Sequence, residues 1–284
     1  MAIKYSAKLP TQVPSSLNVY KLASPQSTTS NVAALSQSFG LTGKMRDFIS
    51  SEDWTSYSEG RYRISVHRTS GALRYINRDK YGIEPEKDFK LSKNTVDKIA
   101  QAFLRGTRIY PEKQITLHKV THLRSVVSDL KGKAKVEKVI DAGVIYRRLV
   151  DGIQVEGPGG YTMVNIDPDS EVVGMRSVWR PTTDRVAKVK IVQPDQAKEK
   201  FERLVSKVIG DVTVTSATFG YFEQSEMDRQ SYLEPAYVFI YAVQNGAVAH
   251  KSIEVIPAGL ETFAKLKGNK RFDSGNNKKR PTHK

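Results

Sequence analysis

The chain of 284 residues has no cysteine. A disulfide framework, a zinc–thiolate site and a thiol nucleophile are therefore excluded. No apolar run approaches the ~18 residues of a membrane-spanning helix, so no transmembrane segment is expected. The opening MAIKYSAKLPTQVPSS has lysines but no continuous apolar stretch, and an intact secretory signal is not expected in it. No Asn-x-Ser/Thr sequence occurs. Acids are in short supply: 30 Asp+Glu face 45 Lys+Arg, a formal net charge of +15. Residues 265–284 hold eight Lys/Arg against one Asp, so +7 of that excess sits in a tail poor in apolar residues. Such a tail does not build a core. The full chain is 39% hydrophobic, enough to build a core outside that tail.

Three segments carry helical spacing with a cap before and a glycine after. Ser30–Phe39 puts Val32, Leu35 and Phe39 on one face, with Gly40 following. Ser92 to Arg105 aligns Val96, Ile99, Ala100 and Phe103, with Gly106 as the expected stop. A third begins near Asp195 after Pro194, aligns Ala197, Phe201, Leu204, Val205 and Val208, and ends before Gly210. Between them lie alternating, strand-like runs at 61–67, 73–77, 144–150, 161–166, 171–179, 211–222, 237–243 and 247–256. Gln-Asn-Gly before Ala247 is a hairpin signal. Segments 41–60 and 124–138 read as long polar connections, the second as a loop or ragged strand. Short links between strands argue against parallel crossovers. The expected class is α+β, with antiparallel sheets each packed by a helix. The expected organisation is a helix-plus-hairpin unit over 1–90, a helix-and-sheet region over 91–259 and a basic disordered tail over 260–284.

Two motifs invite chemistry. Gly157-Pro158-Gly159-Gly160 lacks the Lys and Ser/Thr of a phosphate loop and precedes a strand, not a helix. It reads as a tight connection with positive φ at its glycines. Asp167-Pro168-Asp169-Ser170-Glu171 has alternate acids, but a calcium loop wants Gly and Glu where Val172 and Val178 stand. It reads as a β-turn. His118 and His122 lie on a β-branched, alternating run, where a strand separates them by roughly 13 Å. No H-E-x-x-H or G-x-S-x-G pattern occurs. No catalytic residue, metal ligand or cofactor is assigned.

Residues 146–174, YRRLVDGIQVEGPGGYTMVNIDPDSEVVG, resemble PepSY and thermolysin-propeptide (FTP) modules. Asp151-Gly152-Ile153, Val155 and Gly157 stand in the places of the pattern. YLEPAYVFIYAV (232–243) resembles the strand that follows the second helix of such modules. The insertion of Pro158-Gly159 departs from the propeptide form. The resemblance implies cystatin-like helix-on-sheet units, typically exported with the signal absent from this chain; a cytoplasmic protein is the alternative. It also implies a protease-inhibiting or sensor-like module with no catalytic residues.

The candidate ligand contacts are aromatic. Tyr237, Phe239 and Tyr241 share one strand face, and Trp179 with Arg176 and Arg180 lies near the end of another strand. Aromatics in such a pattern serve either a covered core or a stacking and cation–π platform. Three functions follow as expectations. The first is a non-catalytic module that binds a peptide or protein partner by strand addition. The second is a cofactor-free enzyme whose pocket lies between the sheets, near Trp179 and the Tyr237 face. The third is a binder of nucleic acid or an anionic surface through Lys278, Lys279 and Arg280.

Overall fold

Ser92 opens the helix that the sequence marks most clearly. Its Oγ accepts the Thr95 N–H at 3.2 Å, and the helix α2 runs over Lys93–Thr107. Val96, Ala100, Leu104 and Thr107 form its buried stripe. Gly106, the expected stop, lies inside the helix, which ends on Arg108 in the left-handed region at φ 54°. Burial of Leu104 and Thr107 carries the helix past its glycine, since packing outweighs a propensity cost of about 1 kcal/mol. Ser92→Ala leaves the Thr95 N–H without its cap. It is expected to lower the unfolding free energy by about 1 kcal/mol, measured by urea denaturation.

The structure is a computed structural model that describes residues 3–44, 47–109, 112–128, 134–246, 248–264 and 266. Among these residues are three α-helices and fifteen strands, 48% strand against 16% helix. The expectation of α+β helix-on-sheet units is therefore corrected: the chain is mostly β, and its strands form a mixed sheet. The reason is visible in the segments read as connections. Residues 41–60 contain β3 (Phe48–Ser50) and β4 (Trp54–Glu59), and residues 124–138 belong largely to β7 (Ile115–Ser128) and β8 (Ala134–Val150). Ser, Thr and Lys on solvated strand faces hid these strands. Parallel pairing also occurs, because β1 (Ile3–Tyr5) and β9 (Ile153–Glu156) each run parallel to β13 (Asp211–Phe222).

The chain folds as two compact units. One comprises residues 1–17, 189–219 and 235–284. In it β1 pairs with β13, and β14 (Tyr232–Asn245) pairs antiparallel with β15 (Val248–Pro257). Helix α3 (Pro194–Val205) begins with Pro194 in its first turn and buries Ala197, Phe201 and Val205. Phe201 stacks on Phe239 at 4.5 Å between ring centroids and meets Tyr241 edge-on at 5.5 Å.

The other unit comprises residues 18–188 and 220–234. Strands β5 (Tyr62–His67), β6 (Leu73–Asn77), β10 (Tyr161–Ile166) and β11 (Val172–Val178) form its centre with β4 and β8. The order there is β8-β10-β11-β6-β5-β4-β3. Register places Tyr57, Ile64, Tyr75, Met175, Val164 and Val144 in one row across these strands, all buried. Helices α1 (Thr29–Gln37) and α2 pack against this row through Val32, Val96, Ala100 and Leu104. One position along each strand lies the next row, Ser56, Ser65, Arg74, Arg176, Met163 and Ile145. Period-two alternation turns that row to the opposite face. Strand β2 (Ser16–Leu22) pairs antiparallel with the start of β14 through Tyr20↔Leu233 and Lys21↔Tyr232, and β12 spans Thr182–Lys190.

Between β8 and β9, Asp151 adopts φ 52° and Gly152 φ 75°. Asp151 tolerates this turn and also anchors it. Its carboxylate accepts from the Tyr20 hydroxyl at 2.8 Å, the Tyr221 hydroxyl at 3.0 Å and the Asn18 side-chain amide at 3.0 Å.

Candidate functional site

In VIYRRLV the alternation Val144, Tyr146, Arg148 puts an arginine where the buried face of β8 calls for an apolar side chain. Arg148 is 1% exposed. Its Nη1 donates to the Arg180 carbonyl at 2.7 Å and to Glu223 Oε2 at 3.5 Å, and its Nη2 donates to Thr182 Oγ1 at 3.4 Å. The guanidinium carbon lies 4.8 Å from the centroid of the Trp179 ring. Arg180, equally buried, donates to Glu223 Oε1 from both its backbone N–H at 2.8 Å and Nη1 at 3.2 Å. Its Nη1 also donates to the Gln224 carbonyl and its Nη2 to the carbonyls of Ser225 and Asp228, while its Nε is buried without a hydrogen-bond partner. Arg180 thereby ties down the loop between β13 and β14. Glu223 has no exposure at all. Burial pushes its carboxyl upward and pushes Arg148 downward, and each is opposed by the other's charge. With two guanidinium groups and a backbone N–H on one carboxylate, the ionised triad is the state that satisfies the hydrogen bonds.

The GPGG loop closes over this triad. Gly159 N–H donates to the Glu223 carbonyl at 3.0 Å, and Gly160 N–H to the Val178 carbonyl at 2.7 Å. Arg147 Nη1 holds the carbonyls of Gly157 and Gly159 at 3.0 Å each. A Cβ at Gly159 would stand 2.4 Å from the Gln224 carbonyl oxygen. Gly157 combines φ 98° with a similar approach to the Glu223 carbonyl. The glycines serve backbone-to-backbone contact over a buried carboxylate.

Above Arg148 lies a cleft of about 480 Å³. Its floor is the row Val66, Leu73 and Ser177, and its walls include Trp179, Pro25 and Pro181. Ser70, Gln26 and Thr182 add hydrogen-bonding groups. Trp179 is half-buried there. The volume falls within the range of small-molecule and peptide-side-chain sites.

The structure places the other candidates elsewhere. Arg176 lies on the opposite sheet face beside Arg74, and both donate to Glu226 Oε1, at 2.8 and 2.6 Å. Arg74 also covers the Trp54 ring at 4.3 Å. Tyr237, Phe239 and Tyr241 belong to the other unit and are at most 1% exposed. Tyr237 donates its hydroxyl to the Val192 carbonyl at 2.7 Å. Lys278, Lys279 and Arg280 lie outside the described residues. The acids of DPDSE face a lysine: Lys80 Nζ lies 2.8 Å from Asp167, 3.3 Å from Asp169 and 3.1 Å from Glu171. These contacts raise the Lys80 pKa, with the Asp167 hydrogen bond contributing most. Among the described residues no three His, Asp or Glu side chains gather as metal ligands would.

His67, on β5, is 1% exposed. Its Nδ1 accepts the Thr69 N–H at 3.3 Å and meets the Ser70 hydroxyl at 3.3 Å. That bond places the neutral ring's proton on Nε2. Burial lowers the pKa below the ordinary 6.5; Glu226 and Asp53 favour the cation, while Arg74 and Arg180 oppose it. The folded state thus prefers neutral imidazole. The unfolded chain takes up a proton as pH falls below 6.5 and the folded chain does not, so stability declines from there down to the folded pKa. Urea titrations at stepped pH should show this slope, and His67→Gln should make it shallower, leaving the share of His118, whose pKa burial also lowers. An unchanged slope in that variant would contradict the assignment.

These features define a mostly β protein with an apolar cleft over a buried ion triad. No family model matches the chain, and no curated protein matches it. The fold is similar to the crystal structure of an uncharacterized protein from Eubacterium rectale ATCC 33656. The two share 10% sequence identity over 93% of this chain and 91% of that one, with a TM-score of 0.51. That likeness shows the fold alone.

Proposed function

We propose that the protein is a non-catalytic binding module that receives a peptide segment of a partner in the cleft beside Trp179. The observation that carries this reading is the composition of the cleft. Indole, two prolines and aliphatic side chains supply apolar contact, and Ser70, Ser177, Thr182 and Gln26 place a few polar groups on its lining. Apolar walls with a few fixed polar groups are what peptide-recognition pockets use. The charged residue on its border, Arg148, is engaged by Glu223, Thr182 and the Arg180 carbonyl. Glu223 itself is enclosed with both oxygens bound, which leaves it a structural partner rather than a general base.

The test is an array of short random peptides probed with the full chain. Wild type should bind a subset. Trp179→Ala should lose at least about tenfold in affinity on that subset, as an aromatic anchor does, while its far-ultraviolet circular dichroism remains that of the folded chain. A silent array, or binding retained in Trp179→Ala, would overturn the reading.

A further inference from the structure

We propose that the Trp179 cleft selects peptides that bring a carboxylate to its base. The inference rests on the peptide-binding reading above and adds the chemical class of the ligand. Among the described residues that border the cleft, Arg148 is the one charged side chain. Beneath it two guanidinium groups, Arg148 and Arg180, share a single carboxylate, that of Glu223. The buried triad therefore carries one net positive charge. The sharing is also uneven. Glu223 Oε1 takes both donors of Arg180, at 2.8 and 3.2 Å, whereas Arg148 reaches Oε2 only at 3.5 Å. The Nε of each of the two arginines is buried without a hydrogen-bond partner.

An under-compensated cation in a low-dielectric interior is unfavourable, and the field it projects is weakly screened. The apolar cleft is the neighbouring space from which an opposite charge can approach. A carboxylate seated by Trp179, Ser177 and Thr182 would feel Arg148 through little intervening matter and would find hydroxyl donors beside it. An ammonium or a second guanidinium would be repelled. Arg148 acts here as a positioning charge at the border of the cleft, its guanidinium held against the Trp179 ring.

Three fluorescently labelled libraries of short peptides separate the possibilities. One has free C-terminal carboxylates and no Asp or Glu. One is amidated and contains Asp and Glu. One is amidated and contains Asn and Gln instead. Fluorescence polarisation with the full chain is expected to show about tenfold tighter binding of the first or second library than of the third. The stronger of those two tells whether the carboxylate comes from the chain end or from a side chain. Equal binding of all three overturns the carboxylate preference and leaves the peptide-binding reading standing. No binding of any library overturns both. Arg148→Met should erase the preference while binding of the neutral library persists. Because that variant also disturbs the triad, the wild-type comparison decides the proposal on its own.

Discussion

Glu223→Ala is expected to lower the unfolding free energy by about 3–5 kcal/mol. The carboxylate is wholly buried and is the shared partner of Arg148 and Arg180. Removing it leaves two guanidinium groups enclosed with no counter-charge. It also frees the Arg180 N–H, which Oε1 accepts at 2.8 Å. Glu223→Gln keeps an acceptor but loses the charge, so its effect should be smaller and of the same sign. Arg148→Met combined with Glu223→Leu removes one charge of each sign and should recover part of the loss. Urea denaturation followed by circular dichroism reads all three. A loss below about 1 kcal/mol in Glu223→Ala would show that the triad is solvated and the buried geometry wrong.

The second large effect is expected at Gly159. The Cβ of Gly159→Ala meets the Gln224 carbonyl oxygen at 2.4 Å and Glu223 Cγ at 2.7 Å. The nearest atom is backbone and cannot swing away, so the loop must move. Forced movement in a packed region costs about 1–3 kcal/mol. The displaced atoms are those that place Glu223 between its two arginines. Gly159→Ala and Glu223→Ala should therefore be strongly sub-additive in a double-mutant cycle. Gly106→Ala is the control, because a Cβ there meets nothing within 4 Å and the position is helical. It should be neutral to stabilising.

The helices were legible because the interior dictates their spacing. Ser92, Val96, Ala100 and Pro194 each do in the structure what their positions announce. The central strands were legible for the same reason: Ile64, Val144 and Val164 alternate with polar neighbours. The class was misread where strands are solvated on both sides of the alternation. TTDRVAKVK in β12 is mostly exposed, and its polar and basic side chains resemble a linker. The parallel pairs were missed because β1 and β9 are short and their partners are remote in sequence. Trp179 was visible as an aromatic beside arginines. The triad below it was not named, although Arg148 sits where Val144 and Tyr146 set an apolar parity. That break in the pattern was the available signal. The role of GPGG was invisible for a different reason: its neighbour, the Glu223–Gln224 backbone, lies more than sixty residues away, as Gly159 to Glu223 shows. Only the folded chain brings them together.

The measurement that tests the Trp179 cleft most directly is the tryptophan emission of full-length Trp54→Phe. The chain has two tryptophans, so in this variant the emission reports Trp179 alone. Trp54 lies on the opposite sheet face, against Arg74 and His67, and takes no part in the cleft. Titration with the free-C-terminal library and then with the amidated Asp/Glu library should shift the emission to shorter wavelength and saturate with at least one of them, as bound peptide excludes water from the half-buried ring. A spectrum unchanged by both libraries would contradict the account.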